Sequence, residues 1–476
     1  MTRPRFSIVI PTADRHYLLE KTIAGCLLSA YPNLEVLVSD NFSTSDTAKV
    51  VHGFRTDPRV RYVRTERRLS MPDHWEFAWR QSTGDFIIIN SDDDGFSPGL
   101  IDQLERIAAT FHAALMSWDA GLYYHPDWNL SGANTFTFLS GHSRMLVDID
   151  PQALFASYAR LSIPICFPQG TRICFSRSLA ERALTRVGRV FWPPHCDYSA
   201  PLLLLGLLQD ERYIYLDALL GYGGRSSQSN AAAMEKQGSK TGNQERIRQY
   251  FDEFRQEEIY QHHELKIRSL WNGYAATLNL LRRILPEAFA PHQIDPVALI
   301  TAIECEFRGI NIYNELLGPS ERSAFEAFLA KHDPEIVAAA MREVERRALS
   351  EGVEGWHGRP TTPSLQGLIR LVRGTVMSLK ILRNGFFNRY AWKRVSEILS
   401  PGDDAGPGKE ASRVHLQYMG RMLKIQCGEL GCHDGLDLTR RLDNIAGQFD
   451  PRRLSNVEDF HNAGLLRAAY TSTTPR

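Results

Sequence analysis

Long apolar runs, clustered cysteines and an excess of one charge are all missing from this 476-residue chain. The longest apolar run, Ala200 to Leu208, is far too short to span a bilayer, so no membrane-crossing helix is expected. Seven cysteines lie dispersed with no CxxC pair, which argues against a disulfide framework and for reduced thiols in a cytosol. Cys427, Cys432 and His433 come close together, but a fourth zinc ligand at suitable spacing is absent. With 55 basic and 55 acidic residues the formal net charge is zero, so nothing draws the chain as a whole toward nucleic acid. The N-terminus, Met1-Thr2-Arg3-Pro4-Arg5, enters an expected strand at once and leaves no room for a signal peptide. A cytoplasmic protein is expected. An apolar content of 43% and a charged content of 23% are ordinary for a soluble globular chain with room for about two or three domains.

What is present centres on residues 84–95, Gly-Asp-Phe-Ile-Ile-Ile-Asn-Ser-Asp-Asp-Asp-Gly. Phe86 to Ile89 reads as a strand buried on both faces. Asp92, Asp93 and Asp94 follow it, then Gly95 and the helix start Ser97-Pro98. Three adjacent carboxylates repel one another unless a cation sits among them. Their hard oxygens suit Mg²⁺ or Mn²⁺, which commonly share a shell with substrate phosphates. The competing reading is a solvated acidic turn with Asp as a helix cap.

Around this stretch, apolar runs alternate with helical periodicity. Phe6 to Thr12 is a first strand and Asp14 to Ala30 a helix; Leu34 to Ser39 is a second strand, ending in Asp40-Asn41-Phe42-Ser43. A helix over Thr44 to Phe54, a strand over Val60 to Arg64 and a helix over Pro72 to Gln81 precede the acidic stretch. This is the pattern of βαβ units and a parallel sheet. After a helix to Phe111 come a strand at Leu115 to Trp118, an aromatic hairpin or loop over Tyr123 to Phe138, a strand at Ile173 to Ser176 and a helix from Leu179 to Val187.

Ile8-Val9-Ile10-Pro11-Thr12, a strand closing in Ser39-Asp40-Asn41, and Ser82-Thr83-Gly84-Asp85 leading through a strand to Asp92-Asp93-Asp94 together resemble the inverting family 2 glycosyltransferases. Those are α/β proteins of the GT-A fold that use nucleotide-diphospho-sugars and a divalent metal, Mn²⁺ or Mg²⁺. The resemblance is close over residues 5–110 and loose over 111–230. It implies that Pro11, Thr12 and Asp14 line the nucleotide pocket, that Asp40 accepts a hydrogen bond from the base, and that an arginine of Arg64 to Arg68, Arg68 first, meets the diphosphate. Leu69-Ser70-Met71-Pro72 departs from the Asn-x-Gly segment usual at this point. Asp92 to Asp94 match the family's Asp-x-Asp metal motif, with Asp92 also on the nucleotide and the register among the three left open. Pro168 to Arg172 corresponds to a segment beneath the sugar-donor site. Asp197, at the start of the helix Ser199 to Leu208, is implied as the general base, with His195 the second candidate; a capping role alone is the alternative for Asp197. Leu220 to Asn230 reads as a flexible loop, with Arg225 as a clamp on the diphosphate and Tyr222 beside it; a plain interdomain linker is the alternative.

From Gln244 to Ser400 helical periodicity dominates, broken at several prolines, with no acid clusters, His pairs or Gly-rich phosphate loops. Leu365 to Val395 carries seven cations and no acid among apolar residues, which suits either an anionic membrane surface or a core helix with a basic face. Residues 400–409 form a Pro/Gly linker, and Glu410 to Gly428 is expected as one helix.

The expectation is a GT-A catalytic domain over residues 1–230, a helical accessory domain over 244–400, and a linker with a C-terminal extension over 401–476. The expected activity is metal-dependent transfer from a nucleotide sugar, UDP-linked first, to a saccharide or lipid-linked acceptor in polysaccharide biosynthesis. Peripheral contact at the inner membrane face through 365–395 and no nucleic-acid partner go with it. The rivals are a catalytically silent relative serving as a scaffold, and a sugar nucleotidyltransferase. Against the last, Pro11-Thr12-Ala13-Asp14-Arg15 lacks the Gly-rich loop such enzymes carry after the first strand.

Overall fold

A computed structural model describes residues 3–128, 132–139, 145–229, 263–310, 317–354, 416–419, 422–427, 432–446 and 454–456. The basic stretch 365–395 and the linker 400–409 lie outside the described residues.

The centre is a parallel sheet. β1 (Phe6–Thr12) pairs in register with β2 (Leu34–Asp40) on one side and with β4 (Phe86–Ile89) on the other, and β3 (Val60–Arg64) extends it beyond β2. Every residue of β1 and β2 is buried. The reason lies in the alternation of side chains. Val9, Leu37, Ile87 and Ile89 face one apolar layer, while Ile8, Ile10, Val36, Val38 and Ile88 face the other. A strand covered on both faces needs an unbroken apolar run, which is what these segments supply.

α1 (His16–Cys26), α2 (Thr47–His52) and α4 (Leu100–Phe111) cover one face; α3 (Met71–Arg80), capped by Ser70, covers the other. Between β4 and α4 the two-residue β5 (Gly95–Phe96) follows the acidic turn. β6 (Ala113–Tyr124) runs much further than the expected strand, and with β7 (Thr135–Leu139) it forms the anticipated hairpin. β8 (Leu146–Asp148), α5 (Pro151–Ala159), β9 (Ile173–Ser176), α6 (Arg177–Val187) and α7 (Cys196–Gly206) follow. β9 lies antiparallel between β4 and β6, so the sheet is mixed, as in the GT-A fold.

β10 (Arg212–Arg225) corrects one expectation. Leu220 to Arg225 is not a flexible loop but the last third of a strand paired with β6, β8 and β5. Its glycines read as linker in the sequence, yet here they let neighbouring backbone come close.

The helical half comprises α8 (Leu270–Ile284), α9 (Pro286–Phe289), α10 (Pro296–Arg308), α11 (Pro319–Leu329) and α12 (Pro334–Glu354). Pro286, Pro296 and Pro334, which interrupt the helical periodicity of the sequence, are helix starts, where a missing N–H costs nothing. This half shares the core of the sheet domain: Phe289 packs on Phe155 with ring centroids 4.4 Å apart, and Tyr274, Ile303 and Phe325 join the same apolar cluster.

The C-terminal segment also departs from expectation. β11 (Leu416–Met419) and β12 (Met422–Gln426) form an antiparallel hairpin where one helix was expected, and β12 pairs with β7. β13 (Leu454–Asn456) pairs with β8, and α13 (Gly435–Ala446) packs on α1 and β10. Rather than trailing as an extension, it completes a thirteen-stranded sheet.

Candidate active site

Because β1 and β4 are adjacent, the turn after β1 and the acidic turn after β4 meet at the C-terminal edge of the sheet, where open α/β sheets bind ligands. Asp92, Asp93 and Asp94 are all buried there. Arg15, just beyond Thr12, sets its guanidinium across two of them. Nη1 donates to Asp93 Oδ2 at 2.8 Å, Nε donates to Asp92 Oδ2 at 3.2 Å, and Nη2 pairs with Asp92 Oδ1. Thr12 Oγ1 donates to Asp92 Oδ2 at 2.6 Å, while Ser91 and Ser229 donate to the two oxygens of Asp93 at 2.6 and 2.9 Å.

Asp94 is held differently. Gly224 donates its N–H to Asp94 Oδ1 at 2.7 Å and the Thr171 hydroxyl reaches the same carboxylate. No Lys or Arg ion-pairs with it among the described residues. A Cβ at Gly224 would lie 2.0 Å from Asp93 O, so only glycine lets the end of β10 approach this closely. The backbone of the turn is fixed too: Thr22 Oγ1 donates to Asp92 O at 2.8 Å and His125 Nε2 to Asp93 O at 2.9 Å.

Burial pushes the Asp92 and Asp94 carboxyls up, with the neighbouring Asp93 charge adding to both. Asp93 goes the other way: against the upward push of burial, Arg15 and the hydroxyls of Ser91 and Ser229 hold it below the usual carboxylate range. Among the described residues no three His, Cys, Asp or Glu side chains converge as a ready-made metal site. The donor set does fit a site with one protein carboxylate, Asp94, whose shell substrate phosphates and water would complete.

Asp197 sits partly buried in the first turn of α7. Burial pushes its carboxyl up to about 6, opposed by a hydrogen bond from Gln169 and by the charges of Arg172 and Arg225. The segment 169–172 therefore links Asp94 and Asp197, since Gln169 serves Asp197 and Thr171 serves Asp94. It is pinned by the Gly170 N–H on Asp197 O at 2.6 Å. The Arg225 charge acts on both carboxylates, and its Nε is buried with no hydrogen-bond partner among the described residues.

The other expected residues divide. His195 points away from this cluster: its ring packs 5.0 Å from the Tyr274 ring and against Gly273 of α8, and burial pushes it down to about 3. Asp40 ends β2 with Oδ1 accepting from Ser43 N–H at 2.8 Å and Oδ2 from Tyr62 OH at 2.6 Å, which leaves one lone pair on each oxygen. Asp14 accepts from the Thr44 and Ser45 N–H groups and from Arg68 Nη1 at 3.0 Å. Arg68, half exposed, thus lies on the rim beside Asp14 and Asn41. Pro11 is buried in β1, next to Thr12. Tyr222 is turned from Arg225 toward α13, where its hydroxyl donates to Gly435 O at 2.9 Å.

Sequence reasoning missed Arg15, Ser91, His125 and Ser229, and it placed Gln169 and Thr171 at the site only as part of the segment Pro168 to Arg172. For Arg15 a signal existed: it stands just past β1, and the adjacency of β1 and β4 puts it beside the acids.

Residues 7–158 match the family model described as Glycosyl transferase family 2. A GalNAc(5)-diNAcBac-PP-undecaprenol beta-1,3-glucosyltransferase of Campylobacter jejuni is 31% identical over 107 residues, 22% of this chain and 35% of that protein. The match thus spans about a third of the length of that curated relative. Among solved structures, S. aureus TarS 1–349 in complex with UDP-GlcNAc aligns at 12% identity over 64% of this chain and 92% of that one, with a TM-score of 0.41. The mannosyltransferase PcManGT from Pyrobaculum calidifontis, in complex with GDP-Man and Mn²⁺, aligns at 18% identity over 75% and 89%, with a TM-score of 0.35. Scores this low carry no argument about donor or acceptor.

Proposed function

We propose that this chain, which carries a glycosyl transferase family 2 domain over residues 7–158, moves a sugar from a nucleotide-diphospho-sugar to a hydroxyl acceptor with inversion at C1. One observation carries the reading. Two carboxylates that burial raises, Asp94 with no Lys or Arg ion-pair partner among the described residues and Asp197 with a carboxyl at about 6, are joined by residues 169–171 and share the field of Arg225.

In this reading Asp197 is the base. The acceptor oxygen forms a bond to C1 as the bond from C1 to the diphosphate oxygen breaks, and the acceptor proton passes to an Asp197 oxygen. A carboxyl near 6 is ionised at neutral pH yet basic enough to take that proton. His195, buried and far less basic, is not the base. Arg225 offers its unpartnered Nε to the departing diphosphate, and the guanidinium suits phosphate oxygens. Asp94 would hold a divalent cation, Mn²⁺ or Mg²⁺, which when bound neutralises charge on the leaving group. Arg15 holds Asp92 and Asp93 in place and favours their ionised forms against the push of burial, and Asp40 faces the nucleoside from the end of β2. A UDP-sugar donor and a saccharide or lipid-linked acceptor complete the proposal, the latter supported by the polyprenol-linked substrate in the name of the C. jejuni relative. Among the described residues no helix is long and apolar enough to cross a membrane.

The test is thermal shift with nucleotide diphosphates and nucleotide sugars, with and without Mn²⁺, on wild type and Asp94→Ala. A ligand that binds only the native state raises the melting temperature. Metal-dependent stabilisation by one nucleotide family, lost in Asp94→Ala, is expected. Equal Mn²⁺-dependent affinity in the variant would remove the metal from Asp94, and no response to any nucleotide would favour a silent scaffold.

A further inference from the structure

Residues 427–442 press on three supports of the acidic turn without touching its acids. Cys427, Cys432, Leu438 and Leu442 share a buried cluster with Tyr123, Phe136, Phe138, Leu219 and Tyr222. Polar contacts fix its seat: Asn134 Nδ2 donates to Cys432 O at 3.1 Å, and Lys21 Nζ lies 3.1 Å from Asp434 Oδ2.

Each contact leads to one acid. Tyr222 lies against Gly95, the residue after Asp94, and stands two residues before Gly224, whose N–H holds Asp94. The Tyr123 ring meets His125 at 4.7 Å between centroids, and His125 holds Asp93 O. Thr439 packs on Gly25 of α1, the helix whose Thr22 holds Asp92 O. Gly435 is the tightest point: a Cβ there would lie 2.5 Å from the Tyr222 hydroxyl, which donates to Gly435 O and lies 3.4 Å from Thr439 Oγ1.

We propose that Tyr222 and Gly435 form a positioning link through which the C-terminal segment sets the Gly224 N–H on Asp94, and with it the affinity of the site for a metal-bound diphosphate. The inference rests on the donor-site reading above. Neither residue touches substrate. The link works through the end of β10, which is a strand by virtue of its pairing with β6 and β5 and which Tyr222 ties to α13 by a hydrogen bond.

The test uses the full chain and UDP as the probe, by calorimetry with and without Mn²⁺, on wild type, Tyr222→Phe, Gly435→Ala and the double variant. Gly435→Ala drives the added methyl into the hydroxyl and displaces Tyr222, so Mn²⁺-dependent UDP affinity falls about tenfold, the scale of one hydrogen bond to a charged group. Tyr222→Phe alone loses the anchor but adds no atom, and costs about threefold. In the double variant the methyl takes the space the hydroxyl left, and affinity returns to within about threefold of wild type. Affinity for UDP without metal stays level in all four. Rescue of this kind separates a link from a general packing defect. Gly435→Ala binding like wild type, or a double variant no better than Gly435→Ala, overturns the link while leaving the donor site intact. If Gly435→Ala does not fold, Tyr222→Phe decides: a loss confined to the Mn²⁺-dependent affinity supports the link and no change refutes it. A wild type that binds no UDP overturns the donor site and the link together.

Discussion

Replacing Asp197 by Asn should damage catalysis and improve stability at once. A carboxyl lifted from its ordinary 3.8 to about 6 carries a penalty of about 3 kcal/mol on its ionised form. Asp197 is partly reached by solvent, which trims the penalty to about 2 kcal/mol. The native state binds this proton more firmly than the unfolded chain does. The penalty is therefore absent below pH 3.8, grows between 3.8 and about 6, and is full above. Asn keeps the shape without the charge, so the variant should melt above wild type at pH 7.5, and the difference should vanish near pH 4. Transfer to acceptor should fall about 10²–10⁴-fold, the range for a lost general base, while donor affinity holds. In wild type kcat/KM should drop tenfold per pH unit below an apparent pKa of about 6. The assays are acceptor-dependent release of the nucleotide diphosphate across pH 4.5–8 and melting curves in the same buffers. A transfer rate within about threefold of wild type would place the base elsewhere. A variant no more stable than wild type at pH 7.5 would show that Asp197 is not in the apolar setting that raises it.

Arg225→Ala removes the charge that favours ionised Asp197, so the acid limb of the rate profile should move above pH 6. Donor affinity should weaken about tenfold, and Arg225→Lys should restore most of the pH shift; an unmoved limb would uncouple Arg225 from the base. Arg15→Gln leaves two buried carboxylates without their cation and should cost about 3–5 kcal/mol in stability by chemical denaturation; Arg15→Lys, a point charge that cannot bridge Asp92 and Asp93, should recover only part. A loss under about 1 kcal/mol for Arg15→Gln would mean Asp92 and Asp93 are not organised by that guanidinium.

The half of the fold legible in the sequence is the half buried on both faces. β1, β2 and β4 are short runs of Ile, Val and Leu closed by turn residues, and local composition suffices to mark such strands. The end of β10 escaped because Gly221, Gly223 and Gly224 carry no strand preference of their own; pairing with β6 and the need to reach Asp93 and Asp94 impose the conformation. β11 and β12 read as helix in the sequence because alternation in Leu416 to Gln426 is weak, and a partner edge on β7 decides the outcome. The acids at Asp92 to Asp94 stood out through residue type and position, and Asp197 through the family resemblance. Their surroundings did not, because they are made by Arg15, Thr171, Gln169 and Gly224, which reach the acids from other segments.

The closing of the sheet by its own C-terminus has a consequence for biosynthesis. Leu454 pairs with Leu146 and Met422 with Leu139, so β7 and β8 each wait for strands made much later. At roughly 5–20 residues per second, tens of seconds separate the emergence of β8 from that of β13. During that interval two strand edges stand unpaired on the ribosome, where edge-to-edge aggregation begins. Such non-local pairing also slows folding once the chain is released. Yield of the intact protein should therefore depend on translation speed and chaperone supply more than the stability of the finished sheet would suggest.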